Sequence, residues 1–213
     1  MHDPSSPSYW DERFASDGFV YGTLPNDFLR EQAPALPPRG RVLCLGEGEG
    51  RNAAFLAAQG FEVLAVDLST VGLAKAARLA RERGVAITTV QADLAQYALG
   101  RAAWDGIVSI WCHLPPPLRA RVHRDVVGAL RPGGVFMLEA YTPAQLAYGT
   151  GGPSTVELLP TAAVLREELA GLEIEIALEC EREIHEGSRH NGRGAVVQVL
   201  ARRRRPRAAD DTA

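Results

Sequence analysis

The chain has 213 residues, of which 46% are hydrophobic and 23% charged, and a formal net charge of -3; that is enough for one α/β core and short for two domains each with its own. The negative balance, with no basic stripe, argues against a polyanionic partner such as nucleic acid. No apolar stretch approaches the ~20 residues of a membrane span, and Met1 to Pro7 lacks the basic and apolar regions of a signal peptide. These features predict a cytoplasmic monomer or homodimer whose partner is a small molecule.

Residues 1–40 read as a separate N-terminal segment. Tyr9, Trp10, Phe14, Phe19, Tyr21 and Phe28 concentrate aromatics between Gly18, Gly22 and Pro25, a composition that suits a lid over a sheet edge as well as plain packing on the core. A short helix is expected over Asn26 to Gln32, before a Pro/Gly linker from Pro34 to Gly40.

From Arg41 to Arg203 apolar runs alternate with helical patterns, as they do in a parallel sheet covered by helices. The predicted strands are Val42 to Leu45, Val63 to Val66, Ile87 to Val90, Gly106 to Ile110 and Val135 to Leu138. Asn52 to Gln59 reads as a helix ending at Gly60, and Ser69 can cap another that runs to Gly84. A third spans Pro117 to Leu130, where Pro132-Gly133-Gly134 turns the chain into the fifth strand. Thr161 to Ala170 is helical in pattern, and Leu172, Ile174, Ile176, Leu178 and Cys180 then alternate mostly with Glu, which predicts a strand with one wet face. A loop from His185 to Gly194 leads into Ala195 to Leu200, and these last two strands can pair antiparallel. The basic run Arg202 to Arg205 with Arg207 reads as a solvated, frayed terminus, and residues 204–213 are expected to form a disordered tail.

The most informative stretch is Leu45-Gly46-Glu47-Gly48-Glu49-Gly50-Arg51-Asn52, a strand that runs through alternate glycines into a helix. Glycines there let the backbone approach a ligand and adopt positive φ. In the dinucleotide fingerprint the third glycine falls three positions after the second, where this chain has Arg51. Glu47 and Glu49 also place two carboxylates where a pyrophosphate would sit. A cationic sulfonium without phosphates suits the turn better. Asp67, about 20 residues on at the end of the second strand, can accept from both hydroxyls of an unphosphorylated ribose, and Gln91-Ala92-Asp93-Leu94 offers an acceptor for an adenine amine together with backbone groups for the ring edge.

With the Leu130-Arg131-Pro132-Gly133-Gly134 turn and the terminal hairpin, these residues resemble the class I S-adenosylmethionine-dependent methyltransferases across Arg41 to Arg203. The resemblance implies a Rossmann-like, doubly wound, seven-stranded and mostly parallel α/β sheet with an antiparallel last strand and helices on both faces. It implies S-adenosyl-L-methionine as cofactor, with S-adenosyl-L-homocysteine as product. The implied donor-binding residues are Gly46, Glu47, Gly48, Gly50, Asn52, Asp67, Leu68, Ser69, Ala92, Asp93, Leu94, Ile110, Trp111 and Cys112. Where many members carry an acid inside the first strand this chain has Cys44, so Glu47 or the backbone must take over any contact of that acid. Tyr21 to Asn26, Gly46 to Asn52 and His190-Asn191-Gly192 look more narrowly like the tellurite-resistance and thiopurine branch, which implies small soft acceptors such as thiols or selenium and tellurium oxyanions.

Methyl transfer from a sulfonium is an in-line displacement in which a soft acceptor needs little base assistance. If a proton must leave, His113 after the fourth strand is the best-placed base; otherwise it shapes the pocket beside Trp111. Cys112 reads as filler at a strand end, since little near it would lower its pKa. Tyr21, His113, Tyr141, Arg189 and His190 are the expected acceptor-pocket residues, with Arg189 and the histidines able to attract an anion. In His185-Glu186-Gly187-Ser188-Arg189-His190 the spacing misses the zinc-protease motif, so no metal is expected. Two other functions stand beside the leading one: a nicotinamide-dependent oxidoreductase, and a non-catalytic module that binds S-adenosylmethionine.

Overall fold

The structure, a computed structural model, describes residues 6–205. Most of the expected terminal tail, from residue 206 onward, lies outside the described residues, as does the start of the N-terminal segment. The strands are β1 (Arg41–Leu45), β2 (Glu62–Asp67), β3 (Thr88–Gln91), β4 (Trp104–Ile110), β5 (Leu130–Tyr141), β6 (Glu173–His185) and β7 (Asn191–Arg202). They form one sheet in the order β3-β2-β1-β4-β5-β7-β6. The first five are parallel, and β7 runs antiparallel between β5 and β6. The order reverses direction beside β1, so the connections leaving β1 and β4 run to opposite faces of the sheet and leave between them a crevice of the kind that holds ligands in open α/β sheets.

The helices are α1 (Pro7–Phe14), α2 (Asp27–Gln32), α3 (Arg51–Ala58), α4 (Thr70–Glu82), α5 (Pro116–Ala129) and α6 (Ala162–Glu168). Period-two alternation sends neighbouring residues of each strand to opposite faces. Leu43 and Leu45 of β1 join Val122 and Val126 of α5 and Leu165 of α6. Val42 and Cys44 join Phe28 of α2, Leu56 of α3 and Leu73 of α4 on the other face. Caps set the helix starts: Ser69 Oγ accepts from Gly72 N–H, Asn26 from Leu29 N–H and Thr161 from Val164 N–H. Among the described residues no helix is long and apolar enough to cross a membrane.

Four local readings change. Helix α1 was not foreseen; it is fastened by Asp11, whose Oδ1 accepts from Ser69 Oγ at 2.5 Å and Val71 N–H at 3.2 Å. The Pro132-Gly133-Gly134 turn lies within β5, because Gly133 N–H donates to Arg203 O at 2.7 Å and Arg203 N–H to Gly134 O at 2.9 Å. The expected loop from His185 to Gly194 shrinks to Glu186–His190, since ladder pairing continues to His185 opposite Asn191. On β6 the apolar face slips at an irregularity between Ile174 and Ile176, which leaves Leu178 exposed.

Candidate functional site

The turn from β1 to α3 carries Gly46, Gly48 and Gly50 at φ of 59°, 59° and 86°, a left-handed region that favours glycine. A Cβ on Gly46 would lie 2.7 Å from Cys112 Sγ, and one on Gly50 would lie 2.5 Å from Ala76 Cα. Alternate glycines thus let the turn close on the end of β4 on one side and on α4 on the other. Asp67, buried at the end of β2, accepts from Gly48 N–H through Oδ2 and from Ser69 N–H through Oδ1, both at 2.8 Å. Burial raises its pKa against the pull of those amides. A carboxylate has about four acceptor positions, so the two used here leave others for ribose hydroxyls. The turn and Asp67 therefore fit an adenosyl donor.

Glu47 caps α3 by accepting from Ala53 N–H at 2.7 Å, and burial pushes its pKa up to about 7. Its partner Cys44 is buried in the strand, and burial also raises that thiol. Asp93 is half-buried after β3 and accepts from Ala95 N–H at 2.7 Å. Ala92 N–H donates to Asp67 O, Leu94 is buried, and Leu68 is half-buried between Asp67 and Ser69. Ile110 is buried at the end of β4, where Trp111 turns the chain at φ 57°, an uncommon conformation for a large side chain. Burial, with Asp67 nearby, pushes the Cys112 thiol up to about 12, so it is inert.

Two residues expected at the donor face elsewhere. Asn52 Oδ1 accepts from Asn26 N–H at 2.9 Å, so this buried side chain serves the N-terminal segment. The Ser69 hydroxyl is taken up by its cap and by Asp11. Glu49 likewise does not face a ligand: it accepts from Val20 and Tyr21 N–H at 3.1 and 3.0 Å and from Lys75 Nζ at 2.9 Å. It pins residues 20–21 over the turn.

On the acceptor side, the Trp111 ring stacks on Tyr141 with centroids 4.4 Å apart, and His190 meets both edge-on at 5.0 and 5.3 Å. Tyr21 lies 4.8 Å from His190. His113 belongs to the same group but is held at both ring nitrogens: Nδ1 faces Trp111 O and Nε2 accepts from Tyr141 N–H, each at 3.1 Å. That arrangement fixes a neutral ring with its proton on Nδ1, and burial lowers its pKa to about 4. His113 is thus a strut between two strand ends, an arrangement that favours its shaping the pocket beside Trp111 over its serving as a base. Arg189 is exposed on the hairpin turn.

Sequence reading missed the buried network that joins these parts. Glu186 accepts from Arg182 Nη2 at 2.8 Å, Asn26 Nδ2 at 2.9 Å and Trp111 Nε1 at 2.5 Å, and it is in short contact with Arg51 Nη2. Glu139 of β5, fully buried, accepts from Arg182 Nε at 2.6 Å and Asn26 Nδ2 at 2.8 Å. Burial opposes the charge on Glu186, but Arg51, Trp111 and Arg182 outweigh it and hold its pKa at about 2. The available signal was an acid inside the apolar run Met137-Leu138-Glu139-Ala140-Tyr141, which demands a buried partner.

Residues 42–134 match the family described as a methyltransferase domain. The chain has the fold of the S-adenosylmethionine-dependent methyltransferases. A structure solved in work on the conversion of a disulfide into a thioacetal in echinomycin biosynthesis is similar at TM-score 0.71 and 20% identity, covering 93% of this chain and 92% of that one. TehB from Haemophilus influenzae is similar at TM-score 0.67 and 18% identity, over 93% of this chain and 67% of that one. A putative methyltransferase from Bacillus halodurans is similar at TM-score 0.67 and 19% identity, over 84% and 99%. No match was found among curated protein sequences. S-adenosylmethionine is the donor that this methyltransferase domain and fold imply.

Proposed function

We propose that the protein transfers the methyl group of S-adenosylmethionine to a small, soft nucleophile, with a thiol as the first choice. The observation that carries the choice is that the titratable side chains around Trp111 and Tyr141, among the described residues, are all engaged or held from acting as a base. Both nitrogens of His113 are bound to backbone. Burial lowers His190 to about 3, Cys112 is inert, and the carboxylates of Glu139 and Glu186 are engaged by guanidinium groups. A hydroxyl or amine would need a proton removed as it attacks, whereas a thiol like that of cysteine, with an ordinary pKa of about 8.5, supplies a small share of nucleophilic thiolate at pH 7 without a base.

The donor supplies an electrophilic methyl group on a sulfonium. Gly46 and Gly48 would hold its methionine end, Asp67 its ribose and Asp93 its adenine. Trp111 and Tyr141 would wall the acceptor and exclude water from the displacement. The acceptor's thiolate, its proton already released to solvent, would form the new bond to the methyl carbon as the carbon–sulfonium bond breaks, which would leave the neutral thioether S-adenosylhomocysteine. The likeness to TehB supports kinship with the tellurite-resistance branch, so selenium and tellurium oxyanions are the next acceptors to try.

A nicotinamide enzyme is disfavoured because Arg51 is committed to Glu186 and so is not free for a phosphate. Calorimetry with S-adenosylmethionine, S-adenosylhomocysteine and NAD, followed by a radiolabelled methyl-transfer screen over thiols, selenite, tellurite, alcohols and amines, tests the reading. Asp67→Ala should weaken donor binding by about 1–3 kcal/mol, roughly 5- to 150-fold. Tight NAD binding with no response to the other two compounds would overturn the proposal, and donor binding without transfer to any acceptor would favour a non-catalytic module.

A further inference from the structure

Between helix α5 and the segment that leads from β3 to β4 lies an open groove of about 540 Å³, within the usual range of small-molecule sites. Its lining combines Tyr97 and Arg101 of that segment with Arg121, Arg124, Asp125 and Gly128 of α5. The helix supplies its four residues at positions i, i+3, i+4 and i+7, which is one continuous face, while Val122, Val126 and Ala129 enter the core. None of the six is assigned above to the donor or to the acceptor.

The groove carries three guanidinium groups and one carboxylate, a surplus of two positive charges. Arg121 is held in place, because Nη1 donates to Asp125 Oδ2 at 3.2 Å and Nη2 is in short contact with Leu94 O. Arg101 and Arg124 are exposed, and among the described residues neither has a hydrogen-bond or ion-pair partner. Tyr97 is half-buried and packs against the core, and burial keeps its phenol protonated, so that it can donate.

Gly128 has no steric reason to be glycine. Within a helix glycine is less stable than alanine, yet a Cβ built on Gly128 would meet no atom within 4 Å. A side chain there would stand in the groove, one turn on from Arg124. Helix stability is given up at the position where doing so keeps the groove open.

An uncharged ligand would leave the surplus charge unanswered, and a single carboxylate would answer half of it. A phosphate monoester carries about 1.5 to 2 negative charges at pH 7 and offers three acceptor oxygens to guanidinium groups. The volume of the groove, against about 30 Å³ for a water molecule in the liquid, leaves room for an organic body beside the phosphate.

We propose that this groove is a binding site for a small phosphate monoester, with Arg101, Arg121 and Arg124 on the phosphate and Tyr97 against the organic part. The site is separate from the donor turn, and it stands whether or not the methyl-transfer reading does.

Amide NMR titrations of the full chain with phenyl phosphate, phenylacetate and inorganic phosphate test it. Phenyl phosphate should bind about fivefold or more tighter than either of the others, because phenylacetate has less charge and inorganic phosphate has no ring. The amide shifts should centre on Tyr97, Arg101, Arg124 and Gly128. Arg101→Ala and Arg124→Ala should each weaken phenyl phosphate by about fivefold or more, with melting temperatures unchanged, because neither side chain has a partner in the fold. Gly128→Gln fills the groove with a good helix former, so it should weaken binding to a similar extent and melt no lower than wild type. The proposal is overturned by any of four results: no saturable binding of phenyl phosphate, shifts centred on Gly46 to Gly50, equal or tighter binding of either other compound, or an affinity unchanged in the three variants.

Discussion

Replacing Glu186 by Gln keeps the side chain's volume and one acceptor oxygen but removes the charge that balances Arg51 and Arg182. Both partners are largely shielded from water, with side-chain exposures of 6% and 16%. Removing one member of a buried ion pair costs about 3–5 kcal/mol. The titration gives an independent figure. The carboxyl falls from its ordinary 4.5 to about 2 on folding, and such a fall corresponds to about 3 kcal/mol of stability at pH 7. A depressed carboxyl contributes this stability above its unfolded pKa and loses it as the pH falls through its folded one. The wild-type advantage over Glu186→Gln should therefore be about 3 kcal/mol at pH 7, smaller by about 0.8 kcal/mol at pH 4, and smaller by about 2 kcal/mol at pH 3. Urea unfolding of both proteins at the three pH values measures it, and taking the difference cancels carboxylates outside the network. A difference below about 1 kcal/mol at pH 7, or one that does not shrink on acidification, would refute the reasoning.

Other positions give sharper local tests. His113→Ala removes the acceptor of Tyr141 N–H and should cost about 1–3 kcal/mol in stability, whereas the wild-type pH–rate profile should show no inflection from this ring between pH 5 and 8; an inflection there that the variant abolishes would restore it as a base. Gly50→Ala forces a side chain into φ 86° and against Ala76, so a loss of about 3 kcal/mol or more is expected in thermal or urea unfolding, and a loss under 1 kcal/mol would contradict the packing. Glu47 has the opposite sign to Glu186. Its raised pKa gives stability that is fully present below about 4.5 and is lost as the pH rises through about 7; Glu47→Gln should flatten this part of the melting-temperature profile between pH 5 and 8, and an unchanged slope would place the titration elsewhere.

The features legible in the sequence are those that neighbouring residues decide. Short apolar runs between helical patterns set the parallel strands, Ser69 announced its helix, and the glycine turn declared itself because each glycine answers a steric demand within one strand-to-helix connection. The hairpin turn was drawn too long because Gly192 and Gly194 look like loop residues, yet a Cβ on Gly194 would meet Ile184 and Tyr141, so this glycine belongs to a crowded strand. The ionic network was out of reach for a different reason: Glu186 lies 135 positions from Arg51, and no local pattern fixes a partner at that distance. Arg51 in the place of a fingerprint glycine was informative in the sequence only as a departure from a nucleotide-phosphate turn. In the fold it is a positive feature, because its guanidinium ties the turn expected to hold the donor to Glu186, at the start of the hairpin turn that carries His190, and Glu186 also holds Trp111. Donor turn and acceptor wall are then one electrostatic unit, so a substitution at Arg51 or Glu186 should disturb donor and acceptor affinities together, while Asp67→Ala should weaken the donor alone.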